Sequence, residues 1–415
     1  MPIDSPWGRR LVLLLIAAFP VLAATVKDGV GVVHALLLLL GLVYGWPAWR
    51  CLQPAEKRLF IGFALFCGVA ILSLLHTELL RNGLSKLERY LYFPLMLPVY
   101  LLLRRLDLTA GHALLGGVVL ASFVYAAQAW YQTAVQGMPV AVGAYHKIIF
   151  GDLATWLLAI LLVALLTVAE RPIHYVLGGI AMLAAAYASL LSMTRGAWLL
   201  LPVLLVMLLF IYRRNISRRG WRQIGMSLVL LVVVLSIWQP ERVVRGIENG
   251  IADIQRTLDD PTARSSWGER LLMWRDAITI WRQEPFLGTG IGDFKLHRQQ
   301  LKEQGLTQYP EAHAHAHNVY LHALAVTGLL GFLALVGLVF FYPFWLFYRY
   351  WSSAGTPWLR FYALAGMVTV IAFMVFGLTE GWLTRNAMVK SYLLGLVVLL
   401  AGCVAGQQDE TAPPA

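Results

Sequence analysis

The chain has 415 residues, 59 % of them hydrophobic and only 13 % charged, with a net charge of +11. That balance excludes a soluble globular protein. Apolar runs of about 20 residues recur along its length, the span of a ~30 Å hydrocarbon core, and their lack of strict alternation selects helices over a closed barrel. The expected fold is an all-α polytopic membrane protein.

In chain order the runs predict about 12 transmembrane helices: 11–26, 29–48, 59–76, 90–103, 112–134, 148–169, 173–191, 196–212, 223–238, 318–347, 359–378 and 387–405. Arg9 and Arg10 followed by an apolar run read as an uncleaved first span rather than a signal peptide. The fourth run is short and contains Pro94 and Pro98, which predicts a kinked or tilted helix. Residues 1–238 thus hold helices 1–9, residues 239–316 form one large polar loop, 317–405 hold helices 10–12, and 406–415 make a disordered tail. Cys67 and Cys403 lie in apolar runs and Cys51 in a short basic loop, so no disulfide framework is expected.

Orientation follows from lysine and arginine in the short loops. With the N-terminus inside, the inner segments hold fifteen basic residues, five of them in the run 213–222, and the large loop and the tail fall outside and inside respectively. The outward segments nevertheless carry Lys27, Arg81, Lys86, Arg89, Lys147, Arg195, Arg385 and Lys390. Positive charge is disfavoured there, so the set points to an anionic substrate at the outer face, with phosphate-bearing lipid the natural choice.

The loop 239–316 holds ten Lys/Arg against eleven Asp/Glu. The net charge therefore sits on membrane-flanking segments and not on a nucleic-acid-binding domain. Ser266 and Glu269 fit a capping box opening a helix that Pro285 stops. Leu271, Trp274, Ile278 and Trp281 form an apolar stripe expected to lie on the membrane surface or the bundle, with Arg270, Arg275 and Arg282 at its edges. The Gly288–Asp293 run GTGIGD lacks the strand of a nucleotide-binding unit and reads as a turn.

The stretch 313–331, HAHAHNVYLHALAVTGLLG, puts three histidines where a polar loop enters a span. Imidazole is the usual group for moving a proton near neutral pH, and the positive end of a helix favours its neutral form at His317. His313 and His315 read as ordinary loop residues, His322 as a packed or hydrogen-bonded residue one turn into the span. Zinc on the three histidines is disfavoured, because no matching carboxylate or cysteine motif accompanies them. Arg195 stands in SMTRGAW at the break between the seventh and eighth spans, where a charge needs an anion or a lone carbonyl. Asp152 and Glu380 lie within or beside spans and are suited to orient an arginine or the histidine.

These residues resemble a known family. His317-Asn318, nine residues, Gly328, two residues and Gly331 match the H-N-x9-G-x-x-G pattern of the O-antigen ligases, which belong to the wider family of bacterial O-antigen ligases and polymerases. The span count, the loop after the ninth span, the TRGAW arginine and the Arg270-x-x-x-Trp274 spacing are similar too. The resemblance implies a GT-C-like membrane fold and an inverting, metal-independent glycosyltransferase without a cofactor. Its donor would be a glycan on undecaprenyl pyrophosphate and its acceptor a sugar hydroxyl of lipid A–core, at the periplasmic face of a Gram-negative inner membrane. It implies His317 as general base and Arg195 and Arg270 as essential arginines at the pyrophosphate. From sign and side, Arg81, Lys86, Arg89 and Lys147 are further substrate-binding candidates, and Arg275 and Asn318 are counted with them. A monomer is expected. Rival readings are an O-oligosaccharyltransferase or polymerase using the same donor and, from another class, a secondary transporter of an anionic solute.

Overall fold

The computed structural model describes residues 5–106, 109–212, 248, 251–252, 255–256, 266–307 and 314–411. Among the described residues the regular structure is entirely helical: α1 (Pro6–Thr25), α2 (Gly29–Tyr44), α3 (Pro54–Ser73), α4 (Leu80–Leu103), α5 (Thr109–Trp130), α6 (Lys147–Thr167), α7 (Pro172–Ser192), α8 (Arg195–Trp198), α9 (Leu200–Tyr212), α10 (Ser266–Gln283), α11 (Phe294–Glu303), α12 (Val319–Ala334), α13 (Tyr342–Ser353), α14 (Pro357–Phe376) and α15 (Asn386–Thr411). Nine helical stretches among them are long and apolar enough to cross a membrane. Every predicted span within the described residues falls on a helix. The ninth span, the basic run 213–222 and His313 lie outside them.

Local chemistry sets the starts. Ser5 accepts from the Gly8 amide before α1, and Thr356 from the Leu359 amide before α14, each with proline at the first helical position. Gln53 and Glu56 close a capping box on α3. Helix α4 departs from expectation by starting ten residues before its apolar run. Its polar first turns carry Lys86 and Arg89, and both prolines are accommodated inside the helix. Helices α6, α14 and α15 are buried on nearly every side and form the centre of the bundle. Phe340, Phe373, Trp382 and Tyr392 pack together there.

The span bearing the histidine motif is broken. Gly328 has φ 63° and ψ −165°, a conformation open only to glycine. The loop segment after α10 fills the break. Thr289 and Gly290 donate their amides to the carbonyls of Ala325 and Val326, while Leu329 and Leu330 donate to those of Pro285 and Phe286. A Cβ on Gly328 would stand 2.3 Å from the Phe286 carbonyl, so the close approach also demands glycine. In a chain surrounded by lipid this pairing satisfies groups that water cannot reach. The remainder of GTGIGD is a turn, as predicted. Gly288, Gly290 and Gly292 all have positive φ, and Asp293 Oδ2 accepts from the amides of Glu78 (2.5 Å) and Leu79 (3.2 Å).

Helix α10 packs on the protein through a face other than the predicted stripe, whose expected place was the membrane surface or the bundle. Met273, Ala277 and Ile280 are buried, whereas Leu271 and Ile278 are exposed. Asp276 on the buried face binds Arg298 of α11 at 2.8 Å, a pair that anchors α11 to α10. The helix is apolar on two sides, and the outer stripe is left for the membrane surface.

Candidate active site

One end of the bundle gathers the chain's histidine motif and most of its outward cations. Asn318 caps α12: its Oδ1 accepts from the amides of Tyr320 and Leu321, both at 3.0 Å, and its Nδ2 donates to the Leu378 carbonyl at 3.2 Å. The Val319 amide donates to Gly377 at 2.7 Å. Asn318, expected among the substrate ligands, therefore spends its side chain on the cap and on fixing the 377–380 turn to the motif. That turn delivers Glu380 to the histidines.

His317 sits at φ 48°, the left-handed region, held there by the cap on one side and His315 on the other. Its Nδ1 lies 2.9 Å from Oε2 of Glu380, whose side chain is 2 % exposed. Arg385 Nε stands 3.5 Å from the other carboxylate oxygen, and His315 Nε2 3.9 Å from it. Burial alone raises a carboxyl. Here the hydrogen bond from His317, the two imidazoles and the Arg385 guanidinium outweigh it and hold Glu380 down to about 2. A carboxylate that stays ionised fixes the ring it faces. Nδ1–H points at Glu380 and Nε2 is left to accept a proton.

His315 is not the ordinary loop residue that the sequence suggested. It is buried, its ring centroid is 4.1 Å from that of His317, and its Nε2 is 3.2 Å from the Arg385 guanidinium. Its Nδ1 accepts from the His317 amide at 3.3 Å. Burial first, then the neighbouring cations against the pull of Glu380, lowers its pKa to about 3. The neutral ring is a positioning group for the motif. His322 packs edge-on against Phe294, as a residue inside the span should.

The arginines expected at a leaving group are located through their neighbours. Arg195 opens α8 two residues after Met193, which is left-handed at φ 53°. Thr194 donates to the Lys147 carbonyl at 2.8 Å, and a Cβ on Gly196 would lie 2.3 Å from Oγ1 of Thr379, the residue before Glu380. Asp152, fully buried one turn above Lys147, feels the charges of both Glu380 and Arg270. Neither of its carboxylate oxygens has a hydrogen-bond partner among the described residues. His146 is likewise within electrostatic range of Glu380, Arg385 and His317.

Two candidates stand apart. Arg81 is exposed, one position off the helical face that carries Asn82, Lys86, Arg89 and Tyr90. Arg275 is exposed and donates to the Leu306 carbonyl at 2.9 Å, a bond within the loop. Neither joins the cluster. Arg385 entered the sequence reading only as one of several outward cations, and its pairing with His315 and Glu380 has no local signal.

His315, His317 and Glu380 each offer a ligand atom, all within 4.8 Å of one another, a geometry that suits a metal ion. Glu380 supplies the carboxylate that sequence spacing did not reveal. However, the Arg385 guanidinium already occupies the position against both His315 Nε2 and Glu380 Oε1. A divalent cation would have to displace it, and the donor set fits a hydrogen-bonded imidazole–carboxylate pair better.

Residues 180–336 match the family model described as O-antigen ligase. The matched stretch runs from α7 through the helix break, and includes Arg195, Arg270, His317 and both motif glycines. A protein of Haemophilus influenzae described only as uncharacterized is similar along nearly the whole chain. It is 21 % identical over 386 residues, covering 90 % of this chain and 94 % of that protein.

Proposed function

From the match of residues 180–336 to the family model described as O-antigen ligase, we propose that the chain belongs to that family and is an O-antigen ligase. In this reading it moves O-antigen polysaccharide from undecaprenyl pyrophosphate to a sugar hydroxyl of lipid A–core. It does so with inversion, at the periplasmic face of a Gram-negative inner membrane.

The observation that carries the reading is the 2.9 Å contact of His317 with the buried Glu380, beside the segments that bear Arg195 and Arg270. A sugar hydroxyl is a weak nucleophile until a base takes its proton in the transition state, an effect worth roughly 10²–10⁴ in rate. His317 Nε2 accepts that proton, and Glu380 stabilises the imidazolium that forms, as the carboxylate of a hydrolase triad does. The acceptor oxygen bonds to the anomeric carbon from the face opposite the leaving group. The anomeric C–O bond breaks, and its electron pair passes to the pyrophosphate. Arg195 and Arg270 hold the growing negative charge, more tightly in the transition state than in the ground state. The energy of transfer resides in the donor, so no nucleotide cofactor is needed.

Reconstituted transfer tests the proposal. Lipid-linked O-antigen is supplied with lipid A–core, with a serine-containing peptide, or with a second lipid-linked glycan. Product on core alone supports the ligase. Product on peptide or on the second glycan, with none on core, assigns an oligosaccharyltransferase or a polymerase instead. Solute uptake into proteoliposomes with no glycan product overturns the enzyme reading altogether.

A further inference from the structure

Beside the His317 cluster lies a cavity of about 310 Å³, at the small end of ligand pockets (roughly 300–1,000 Å³). Its walls carry Lys86, Arg89, Lys295 and Arg385 together with His315 and His322, and no carboxylate among the described residues. The four cations come from three separate stretches: the first turns of α4, the start of α11 and the end of the 382–384 turn. Several built contacts hold the walls in place. Arg89 Nε donates to Asn386 Oδ1 at 3.0 Å. The glycine turn presses on α4 so closely that a Cβ on Gly292 would stand 2.6 Å from the Gly83 amide. His322 Nδ1 is buried and has no hydrogen-bond partner among the described residues.

Collecting like charges around a void is costly unless an anion completes the arrangement. Lysine and arginine together suit phosphate oxygens. The cavity is also separate from the groups assigned to the leaving diphosphate, because Arg195, Arg270 and His317 do not line it. It meets the reacting centre through His315, whose ring lies against that of His317.

We propose that this cavity is a second anion subsite, which binds a phosphate carried by the acceptor saccharide and so presents a neighbouring hydroxyl to His317. The inference rests on the ligase reading above. It assigns Lys86, Arg89, Lys295 and Arg385 to the acceptor, and leaves the donor diphosphate to Arg195 and Arg270. Anchoring the acceptor by a phosphate one sugar away from the reacting oxygen makes the attack effectively unimolecular.

The test uses the full-length protein in nanodiscs and lipid A–core either intact or stripped of its saccharide phosphates by phosphatase. The variants are Lys86→Gln and Lys295→Gln, the latter an exposed position whose loss does not threaten the fold. Losing one charge-assisted contact raises KM for the intact acceptor roughly ten-fold and leaves donor KM within about two-fold. The ratio of variant to wild-type KM then falls to near one on the stripped acceptor. A rise in donor KM instead assigns the cavity to the diphosphate and overturns the proposal, as does an equal effect on both acceptors. Thermal stabilisation of the wild-type protein by each acceptor, with no donor present, separates the two failures. Preferential binding of the intact acceptor without any transfer sinks the ligase reading and keeps the subsite. Transfer with equal binding of both acceptors sinks the subsite and keeps the ligase.

Discussion

The two ends of the bundle meet their buried charges differently. At the end formed by residues 44–56, 100–106 and 350–356, the buried carboxylate has its partner within the chain. Glu56 and Arg104 meet at 2.9 Å with side chains 0 % and 4 % exposed, and Tyr100 and the Gln53 amide donate to the same carboxylate. Arg105 donates to the Tyr44 carbonyl at 2.8 Å, and Glu410 accepts from the Gly355 and Thr356 amides. At the motif end the buried carboxylate of Glu380 serves His317, His315 and Arg385 together, with Lys86, Arg89 and Lys295 close by. A buried pair that is complete within the chain holds helices together. A surplus of cations around one carboxylate fixes geometry and leaves charge to be met by a ligand.

Substitutions at the two ends should therefore separate activity from stability. His317→Ala is expected to lower kcat by roughly 10²–10⁴ while donor binding stays near wild type, because a base acts in the chemical step. Arg195→Ala is expected to impair both. Equal loss of donor binding in the two variants would contradict the roles given to them. Lysine is no substitute at Arg195 or Arg270 where the contact to phosphate is bidentate.

Glu380→Gln comes next, with kcat lower by roughly 10–100-fold and the fold retained, since the amide keeps the shape of the side chain. The carboxyl is held down to about 2 against an ordinary value of 4.5, so it is ionised at every pH where the enzyme is assayed. A depressed carboxyl contributes stability that is present above 4.5 and lost as pH falls toward 2. Acid unfolding monitored by circular dichroism should show that loss in the wild-type protein and a shallower one in the Gln variant. An unchanged acid profile would remove Glu380 from the ion network.

At the opposite end, Glu56→Gln leaves Arg104 buried without its partner charge, which costs about 3–5 kcal/mol of stability. Melting in detergent reads that cost directly. Among molecules that remain folded, kcat and both KM values should match wild type, and a kinetic defect would blur the division drawn between the ends. The smallest expected effect is that of a chelator. EDTA should leave transfer unchanged if the His315–His317–Glu380 group works as a proton relay, and loss of activity restored by zinc would make it a metal centre.

Much of this was legible in the sequence because it is local. Apolar runs marked the helices, the S-x-x-E box marked the start of α10 at Ser266, and the histidine string placed a proton-transfer group where α12 begins. What escaped is long-range. Glu380 lies 63 residues from the histidine it holds, and nothing near it in the chain reports the pairing. For α10 the sequence left membrane surface and bundle both open, because both of its sides are apolar and periodicity cannot say which of two stripes faces protein. Asn318, next to the motif histidine, stood among the substrate-binding candidates, but its N-cap role claims that side chain first. Arg81 and Lys86 looked equivalent as charges. Only the 3.6-residue turn, which puts 82, 86 and 89 on one face, tells them apart.

The interruption at Gly328 imposes an order on biogenesis. The carbonyls it frees are met by amides of residues 289 and 290, which leave the ribosome some forty residues earlier. N-terminal segments are made first, so the plug precedes its socket. It must already lie on the motif's side of the bilayer when the second half of the span enters, or lipid meets bare peptide groups. Insertion of this span is thus a docking event between two parts of a nascent chain, and delayed export of the loop would trap the span half-threaded.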